Sequence, residues 1–246
     1  MMARWVVFLD DGGVMNDPRL RGAQWRRLVA EFFAPRLGGP PEAWAEANRA
    51  FTNALFEPAA WQNRLQAARD YQDFDYTYQL EWLKSMCSLV GVTTPADAEC
   101  YSLAFQAAAF ITRQVHSAFP GVVEAICVLH QRGYLLHTAS GEPSTDLTGY
   151  LEAMGVRNCF QRLYGPDLIN TLKNGPDYYE RAFADAGVQP GEALVLDDSP
   201  QAVAWATQAG ARAILVSQSL AAQADVPRIT SLAELPGIIE DIEVCG

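Results

Sequence analysis

Carboxylate and hydroxyl side chains follow three apolar stretches of the sequence, and together they could do chemistry. Asp10 and Asp11 come directly after the run VVFL. Asp197 and Asp198 come directly after the run ALVL, and Thr138 comes after YLLH. Clustered carboxylates repel one another unless a cation compensates, and a ligand set made only of oxygen atoms favours Mg²⁺. The pattern therefore indicates a magnesium site that takes an anionic ligand.

Lysine is rare in this chain, and one of its two lysines lies close to these acids in the predicted fold. The two are Lys84 and Lys173, and Lys173 precedes the segment PDYYERAF. An ammonium group beside carboxylates offsets their repulsion and attracts a negatively charged substrate. Taken singly, an acid after a strand is typical of a helix N-cap, and a lysine before a helix is usually solvated. Their combination at one edge of a sheet favours a reactive site.

The elements that must position these residues follow from alternating strand-like and helix-like segments. The strand-like segments are short, continuous apolar runs, and from residue 122 onwards amphipathic helical segments separate them. This alternation predicts an α/β fold, a doubly wound parallel sheet with helices on both faces. In such a sheet, reactive groups collect beyond the carboxyl ends of the strands. The predicted strands are RWVVFL, YLLHTAS, FQRLYG, EALVLDDS and ARAILV.

A helical region interrupts the alternation after the first strand. It shows no convincing strand, and apolar residues recur three and four apart in AQWRRLVAEFFAPRL, YTYQLEWLKSMCSLV and AECYSLAFQAAAFITRQVHSA. The segments LGGPP, FEPAA and GVTTPAD separate its helices. The sequence therefore predicts an α/β core formed by residues 1–15 and 118–246, with a helical domain over residues 16–117.

Composition and charge narrow the classes of partner. The 246 residues are 50% hydrophobic and 19% charged, as in soluble globular proteins, and a net charge of −11 disfavours binding to nucleic acid. No apolar run is long enough to cross a membrane, and the start MMARWVVF lacks the layout of a signal peptide. The cysteines, which lack metal-type spacing, indicate reduced thiols in a cytoplasmic protein: Cys87, Cys100, Cys127, Cys159 and Cys245.

The order of these segments resembles that of the haloacid dehalogenase (HAD) superfamily of hydrolases. VVFLDDGGVM resembles the first motif of that family, YLLHTAS the second, KNGPDYY the third and LVLDDSPQAVAWATQAGA the fourth. The resemblance covers almost all of the predicted core, and the helical insert lies where the C1-type cap of the family lies. It implies a Mg²⁺-dependent hydrolase that acts on a small, phosphorylated substrate.

The resemblance also implies a role for each matched residue. Asp10 matches the nucleophile, which attacks phosphorus and forms an aspartyl-phosphate. Thr138 matches the hydroxyl that binds the transferred group, and Lys173 matches the lysine that neutralises charge on the nucleophile and the phosphate. Asp198 matches an acid that holds Mg²⁺, with Asp197 as a second ligand or as its support. The other expected residues are Asp10 and the Gly12 carbonyl as metal ligands, and Gly13, Ala139 and Ser140 as substrate contacts.

Gly12 is the point at which this sequence departs from the family pattern. In family phosphatases the residue two after the nucleophile is a second Asp, which protonates the leaving oxygen and then activates water. Such general acid–base catalysis is worth roughly 10²–10⁴ in rate. Because Gly12 has no side chain, a substitute acid is needed: water, the substrate, or a cap residue such as His116. Asp11 is expected to point away from the pocket; the alternative is that Asp11 stands in as the missing acid.

Three functions are compatible with these residues. The first is a Mg²⁺-dependent hydrolase of phosphatase type with a substitute acid. The second is a phosphonatase-like or other carbon–heteroatom hydrolase whose leaving group needs no proton; its phosphonatase form would use Lys84 to form a Schiff base. The third is a catalytically weak member that binds a phosphorylated ligand or a partner protein. The oligomeric state is open between a monomer and a homodimer.

Overall fold

In a computed structural model the chain forms two compact units. Residues 1–18 and 116–246 make up one unit, and residues 19–115 make up the other. The structure describes residues 5–218 and 227–244, so Cys245 and the first residue of the predicted RWVVFL strand lie outside the described residues. We call the two units the sheet unit and the helical unit.

The helices and strands follow one another as the sequence pattern predicts, with additions in both units. None of the described helices combines the length and the apolar character needed to cross a bilayer. The elements are β1 (Val6–Leu9), α1 (Pro18–Leu37), α2 (Pro41–Leu55), α3 (Pro58–Ala67), α4 (Tyr71–Val90), α5 (Asp97–Thr112), α6 (Val122–Gln131), β2 (Leu135–Ala139), α7 (Ser144–Ala153), β3 (Phe160–Tyr164), α8 (Pro166–Ile169), α9 (Pro176–Ala186), β4 (Ala193–Asp197), α10 (Pro200–Gln208), β5 (Arg212–Val216), β6 (Arg228–Ile229) and α11 (Leu235–Val244).

The sheet unit contains one six-stranded sheet in the order β3-β2-β1-β4-β5-β6. Every pairing in it is parallel, which confirms the predicted doubly wound α/β fold. The chain runs from β1 outwards to β3 and then returns to β4 on the other side of β1, so the order reverses between β1 and β4. Ligands of such folds bind outside the carboxyl ends of the strands at this reversal. The sequence pattern missed β6, because two residues are too few to show periodicity.

Helices cover both faces of the sheet, and each strand divides its side chains between them. Val7 and Leu9 pack into a cluster with residues of α6, α7 and α11. Phe8 points the other way, into a cluster with residues of α9 and α10. Because side chains alternate along a strand, the same alternation sorts the residues that follow β1. Asp10 continues the face of Phe8, and Asp11 continues the face of Leu9.

His137 of β2 lies in the second of these clusters and should make the stability of the fold depend on pH. It is 2% exposed, its ring stacks on Phe8 at 5.0 Å between centroids, and its Nδ1 accepts the N–H of Arg162 at 3.3 Å. Burial lowers the pKa of His137 from 6.5 to about 4. Below pH 6.5 the unfolded chain therefore binds a proton that the folded chain does not bind.

As the pH falls from 6.5 towards 4, we expect the free energy of unfolding to drop by up to about 3 kcal/mol through this residue. The variant His137→Phe keeps a ring beside Phe8 and removes the titration, so it should lose less stability over the same interval. Urea unfolding of both proteins across the pH range measures the difference. An equal loss in both would show that His137 is not responsible.

The helical unit packs around a core of aromatic and aliphatic side chains. The ring of Phe33 lies 5.1 Å from that of Trp44 and 5.7 Å from that of Trp82. The indole N–H of Trp82 donates to the amide oxygen of Asn48 at 2.9 Å, which satisfies the one polar group of that ring. The helices α2, α3 and α5 begin within or directly after the three predicted break segments, whereas α5 ends at Thr112, earlier than the third predicted helix.

Candidate active site

The predicted acids lie together at the carboxyl ends of β1 and β4. The backbone N–H of Asp10 donates to the carbonyl of Leu196 at 2.9 Å, which keeps Asp10 in register one residue beyond β1. Asp197 ends β4, and Asp198 follows it. Asp10 and Asp197 are buried and Asp198 is exposed, and one carboxylate oxygen from each of the three lies within 4.8 Å of the others. The structure thus brings together acids that are almost 190 positions apart in the sequence.

Lys173 reaches the same point from the segment between α8 and α9. Its Nζ donates to Oδ1 of Asp10 at 2.8 Å, to Oδ2 of Asp197 at 2.6 Å and to the carbonyl of Ala139 at 2.7 Å. An ammonium group has three hydrogens, so these contacts use all of them. The lysine therefore links the ends of β1, β2 and β4, and both ion pairs are nearly buried.

Among the residues that the structure describes, the charges of the cluster do not balance. Burial raises the pKa of Asp10 to about 7, although Lys173 opposes this shift. Burial by itself lowers the pKa of Lys173, but Asp10 and Asp197 outweigh it and hold that pKa above its usual range. Although Asp198 as a whole residue is exposed, the protein around its carboxyl group removes part of its hydration, and this together with Asp197 raises the pKa of Asp198. Three carboxylates face one ammonium, which leaves an excess of two negative charges when all are ionised, so the residues present fit a divalent cation bound through oxygen.

Asp197 is already bonded on both of its oxygens. Its Oδ2 accepts Lys173 and also the hydroxyl of Tyr179 at 3.3 Å, and its Oδ1 accepts the backbone N–H of Ser199 at 2.9 Å. Asp197 is therefore fixed by donors from α9 and from the start of α10. This leaves it less able than Asp198 to bind a cation, and it favours a supporting role for Asp197.

Gly13 lies against Asp198 in a way that no other residue type could. Its φ is +80°, and a Cβ atom placed on it would lie 2.0 Å from Oδ2 of Asp198. Gly12, the preceding residue, is not among the glycines with positive φ. The loop after β1 therefore approaches Asp198 with its backbone, and the peptide that joins Gly12 to Gly13 lies beside that acid.

The variant Gly13→Ala should weaken Mg²⁺ binding, because the added methyl group must displace the carboxylate of Asp198. We expect the Mg²⁺ affinity to fall by about tenfold to a hundredfold, as when the support of a metal ligand is removed. Gly155→Ala is the matched control, since Gly155 has φ +75° and nothing within 4 Å of its added Cβ. Calorimetric titration with Mg²⁺ measures both variants, and an equal affinity in the two would contradict the role of Gly13.

Thr138 is placed differently from the residues around it. It is fully buried and pairs with Leu9 in the register of the sheet, and its hydroxyl donates to the carbonyl of Tyr164 on β3 at 3.2 Å. By alternation Thr138 shares the face of Leu9, whereas Ala139 continues the face of Asp10. The carbonyl of Ala139 thus contacts Lys173, whereas the hydroxyl of Thr138 is bonded to β3 and not to the acids.

Ser140 and the turn that follows β2 are held by side chains that the sequence alone did not single out. The hydroxyl of Tyr178 lies 2.9 Å from the carbonyl oxygens of both Ser140 and Tyr164. The Ser140 hydroxyl accepts the N–H of Glu142 at 3.2 Å. Tyr178 and Tyr179 stand in the quoted segment KNGPDYY, but no feature of the pattern distinguishes a hydrogen-bonding tyrosine from a packing phenylalanine.

Lys84 and His116 are the two other candidate residues of the sequence analysis. Lys84 forms an ion pair with Asp97 at 2.7 Å in the helical unit, and this hydrogen bond raises the pKa of Lys84 above its usual value. A protonated amine is not a nucleophile, so the pairing disfavours a Schiff base on Lys84. His116 is exposed at the start of the segment that returns to the sheet unit. The four described cysteines have free thiols: Cys87, Cys100, Cys127 and Cys159.

Comparison with known proteins finds relatives of this chain. A family model described as haloacid dehalogenase-like hydrolase matches residues 22–217. A protein of Dickeya dadantii (strain 3937) named "Probable phosphatase IndB" is 30% identical over 99 residues, which are 40% of this chain and 43% of that protein. The phosphoglycolate phosphatase of Rhodospirillum rubrum is 28% identical over 101 residues, 41% of this chain and 42% of that protein. The chain thus spans less than half the length of these curated relatives.

A solved structure shows the same fold. The HAD-hydrolase YfnB from Bacillus subtilis, bound to magnesium, matches with a TM-score of 0.66 at 15% identity, covering 96% of this chain and 99% of that chain. The family model extends over well more than half of the sequence. The acids lie at the carboxyl ends of β1 and β4, and Lys173 contacts two of them there. The chain belongs to the haloacid dehalogenase-like hydrolases.

Proposed function

We propose that this protein is a Mg²⁺-dependent hydrolase of phosphatase type, which transfers the phosphoryl group of a small phosphorylated metabolite first to Asp10 and then to water. The observation that carries the proposal is the position of Lys173 between Asp10 and Asp197, with Asp198 beside them. A buried nucleophilic carboxylate next to a fixed positive charge suits attack on an anionic substrate. The names of two curated relatives, "Probable phosphatase IndB" and "Phosphoglycolate phosphatase", support the same reaction.

In the first step a carboxylate oxygen of Asp10 attacks phosphorus, and the bond between phosphorus and the ester oxygen of the substrate breaks. Lys173 already binds Oδ1 of Asp10, so Oδ2 is the oxygen that attacks. The ammonium group of Lys173 offsets the charge that gathers as the two anions approach. In the second step water attacks the phosphorus of the aspartyl-phosphate, which releases inorganic phosphate and restores Asp10.

The proposed cation ligands are Asp10, Asp198 and the carbonyl oxygen of Gly12. When bound, Mg²⁺ would supply charge neutralisation for the phosphoryl oxygens. Asp197 is proposed to hold Lys173 in place rather than to bind the cation, because its oxygens already accept hydrogen bonds from Lys173, Tyr179 and Ser199. Backbone groups of Gly13 and Ala139 and the hydroxyl of Ser140 are the proposed contacts of the substrate. In this proposal Thr138 does not bind the substrate directly; its hydroxyl bonds the carbonyl of Tyr164 and so helps to hold β2 beside β3.

The missing acid at Gly12 shapes the expected substrate range. The leaving oxygen must take its proton from water, from the substrate or from a residue such as His116. A leaving group that is stable as an anion depends least on that proton and should react faster. We expect aryl phosphates to be hydrolysed much faster than alkyl phosphates. The helical unit, inserted between β1 and α6, is the proposed cap domain, and the free thiols suit a reducing compartment such as the cytoplasm.

A substrate screen tests this proposal against its alternatives. Aryl and alkyl phosphates are offered with and without Mg²⁺, and Asp10→Asn serves as the control without a nucleophile. Mg²⁺-dependent release of phosphate that is lost in Asp10→Asn is the expected result. Binding of a phosphorylated ligand without turnover, in both proteins, would instead favour the catalytically weak ligand-binding member.

A further inference from the structure

Asp11 follows the nucleophile directly, yet it lies on the opposite face of the sheet. It is fully buried, and it continues the face of Leu9 rather than that of Asp10. Its Oδ1 accepts a hydrogen bond from Nδ2 of Asn16 at 2.7 Å, across five positions of the chain. A buried carboxylate left without a donor would be costly, and Asn16 supplies one donor to Asp11. Asp11 thus has a specific hydrogen-bond partner in the loop that follows β1.

The loop from Asp11 to Asn16 is closed by backbone hydrogen bonds as well. The N–H groups of Met15 and Asn16 donate to the carbonyl of Asp11 at 2.9 and 2.8 Å, and the N–H of Gly13 donates to the carbonyl of Asn16 at 2.9 Å. Val14 and Met15 of this loop are buried in the same cluster as Leu9. The loop that carries Gly12 and Gly13 is therefore one compact turn whose two ends are joined by the side chains of Asp11 and Asn16.

Asn16 connects this turn to the segment that returns from the helical unit. Its Oδ1 accepts the hydroxyl of Ser117 at 2.7 Å, and both residues are 1% exposed. The backbones pair on either side of this contact, since the N–H of Asp17 donates to the carbonyl of Ser117 at 2.7 Å and the N–H of Phe119 donates to the carbonyl of Met15 at 3.0 Å. The segment that leaves the sheet unit, residues 15–17, is thus bonded to the segment that returns to it, residues 117–119, next to the loop that follows Asp10.

An acid at position 11 gives the Asn16 amide one orientation. A carboxylate only accepts hydrogen bonds, so Asp11 requires the NH₂ group of Asn16 to face it. The amide oxygen of Asn16 then faces the Ser117 hydroxyl, which donates to it. An apolar residue at position 11 would impose no such orientation. We call the chain of side chains Asp11, Asn16 and Ser117 the clasp.

We propose that Asp11 is a positioning residue, which acts through the clasp to hold the Gly12–Gly13 loop in place and to couple it to the returning segment at Ser117. The inference rests on the proposed function, because the loop it positions carries the proposed Gly12 ligand and Gly13 beside Asp198. It also assigns Asp11 a role other than that of a substitute acid, since its carboxylate is bonded to Asn16 on the far face of the sheet. The clasp keeps the Gly12–Gly13 loop in position, and Asp10 is the group that reacts with the substrate.

Amide hydrogen exchange of the metal-free protein tests the coupling without any activity. The variant Ser117→Ala removes one hydroxyl, about a hundred positions from the loop in sequence, and should speed exchange at the amides of Gly13 and Asn16 by about tenfold or more. Ser117→Thr keeps a hydroxyl and should restore protection. Ser102→Ala, at an exposed serine of α5, is the control and should leave the loop unchanged. Exchange in Ser117→Ala that equals that of the unchanged protein would overturn the clasp.

A second pair of variants tests Asp11 itself. Asp11→Asn retains an oxygen that can accept the Asn16 amide, whereas Asp11→Leu has none. The N–H groups of Asp17 and Phe119 donate between the two segments, so we expect Asp11→Leu to raise exchange at these two amides. We also expect Asp11→Leu to weaken Mg²⁺ binding by about tenfold to a hundredfold, and Asp11→Asn to stay near the unchanged protein in both measurements. A loss of turnover in Asp11→Asn as large as that in Asp11→Leu, with exchange unchanged in both, would identify Asp11 as an acid and overturn the proposal.

These outcomes separate the clasp from the proposed function. If no phosphorylated substrate is turned over but Ser117→Ala still speeds exchange in the loop, the proposed function fails and the clasp stands. If turnover is Mg²⁺-dependent but the loop exchanges equally in Ser117→Ala and in Ser102→Ala, the clasp fails and the proposed function stands.

Discussion

Replacing Lys173 by methionine should reduce kcat/KM for a phosphate ester by roughly 10²–10³ or more, the effect of removing a positioned electrostatic group from a buried site. Its Nζ is the only donor that touches Asp10, Asp197 and Ala139 together among the described contacts. Methionine has nearly the same length and no charge, so the packing is kept and the ammonium group is lost. The attacking carboxylate then meets an anionic substrate without a compensating positive charge.

The same replacement should also change the stability of the metal-free fold. Asp10 and Asp197 would stay buried after losing their common cation, and breaking a buried ion pair from one side typically costs about 3–5 kcal/mol. Excess Mg²⁺ should restore part of this loss, because it binds the same cluster of carboxylates. Urea unfolding with and without Mg²⁺ measures both effects.

Lys84→Met is the matched control, since Lys84 is the other lysine of the chain and its ion pair with Asp97 is exposed. An exposed pair contributes little, so both stability and turnover should change only slightly. A loss of activity in Lys84→Met, with Lys173→Met still active, would contradict the proposed role of Lys173. It would instead support the phosphonatase-like function, in which Lys84 forms a Schiff base.

Replacing Gly12 by aspartate should have the second large effect, an increase in kcat on alkyl phosphates of roughly 10²–10⁴. The new carboxyl group would protonate the leaving oxygen and then activate the attacking water. Gly12 has no positive φ and is only half-buried, so its backbone conformation accepts a side chain. Aryl phosphates, whose leaving groups need no proton, should gain much less.

Gly12→Asn separates acid catalysis from any effect of size or polarity at this position. Asparagine matches aspartate in shape but does not exchange a proton near neutral pH, so it should give no gain on alkyl phosphates. The two variants are compared by steady-state kinetics on paired aryl and alkyl substrates. Equal rates for Gly12→Asn and Gly12→Asp would show that Gly12 does not occupy the position of a missing acid.

The sequence was sufficient to predict five of the six strands described for the sheet, because buried parallel strands leave continuous apolar runs with reactive residues at their ends. Asp10, Asp197 and Asp198 could be predicted to lie together for the same reason. Lys173 lies between two helices, and it was singled out because lysine is rare in this chain and because Lys173 precedes the segment PDYYERAF. Thr138 shows where this reasoning stops: one position along a strand changes the face on which a side chain lies. The spacing of residues in YLLHTAS does not reveal that the hydroxyl donates to Tyr164.

The supporting residues were harder to predict, because their contacts depend on partners far away in the sequence. The hydroxyl of Tyr179 bonds Asp197 across 18 positions, and Ser117 bonds Asn16 across 101 positions. Nothing in the local pattern distinguishes these polar groups from ordinary helix or loop residues. Asp11 was expected to point away from the pocket, but its partner Asn16 emerged only from the folded loop.

In the proposed reaction Asp10 becomes phosphorylated during turnover. The most direct test mixes the protein with Mg²⁺ and an aryl phosphate, stops the reaction with acid within one turnover, and analyses the peptides by mass spectrometry. We predict one added phosphoryl group on the peptide that contains Asp10, located to Asp10 by fragmentation and absent from Asp10→Asn. Release of phosphate with no phosphorylated peptide, or with the phosphoryl group on Asp11, would contradict the claim.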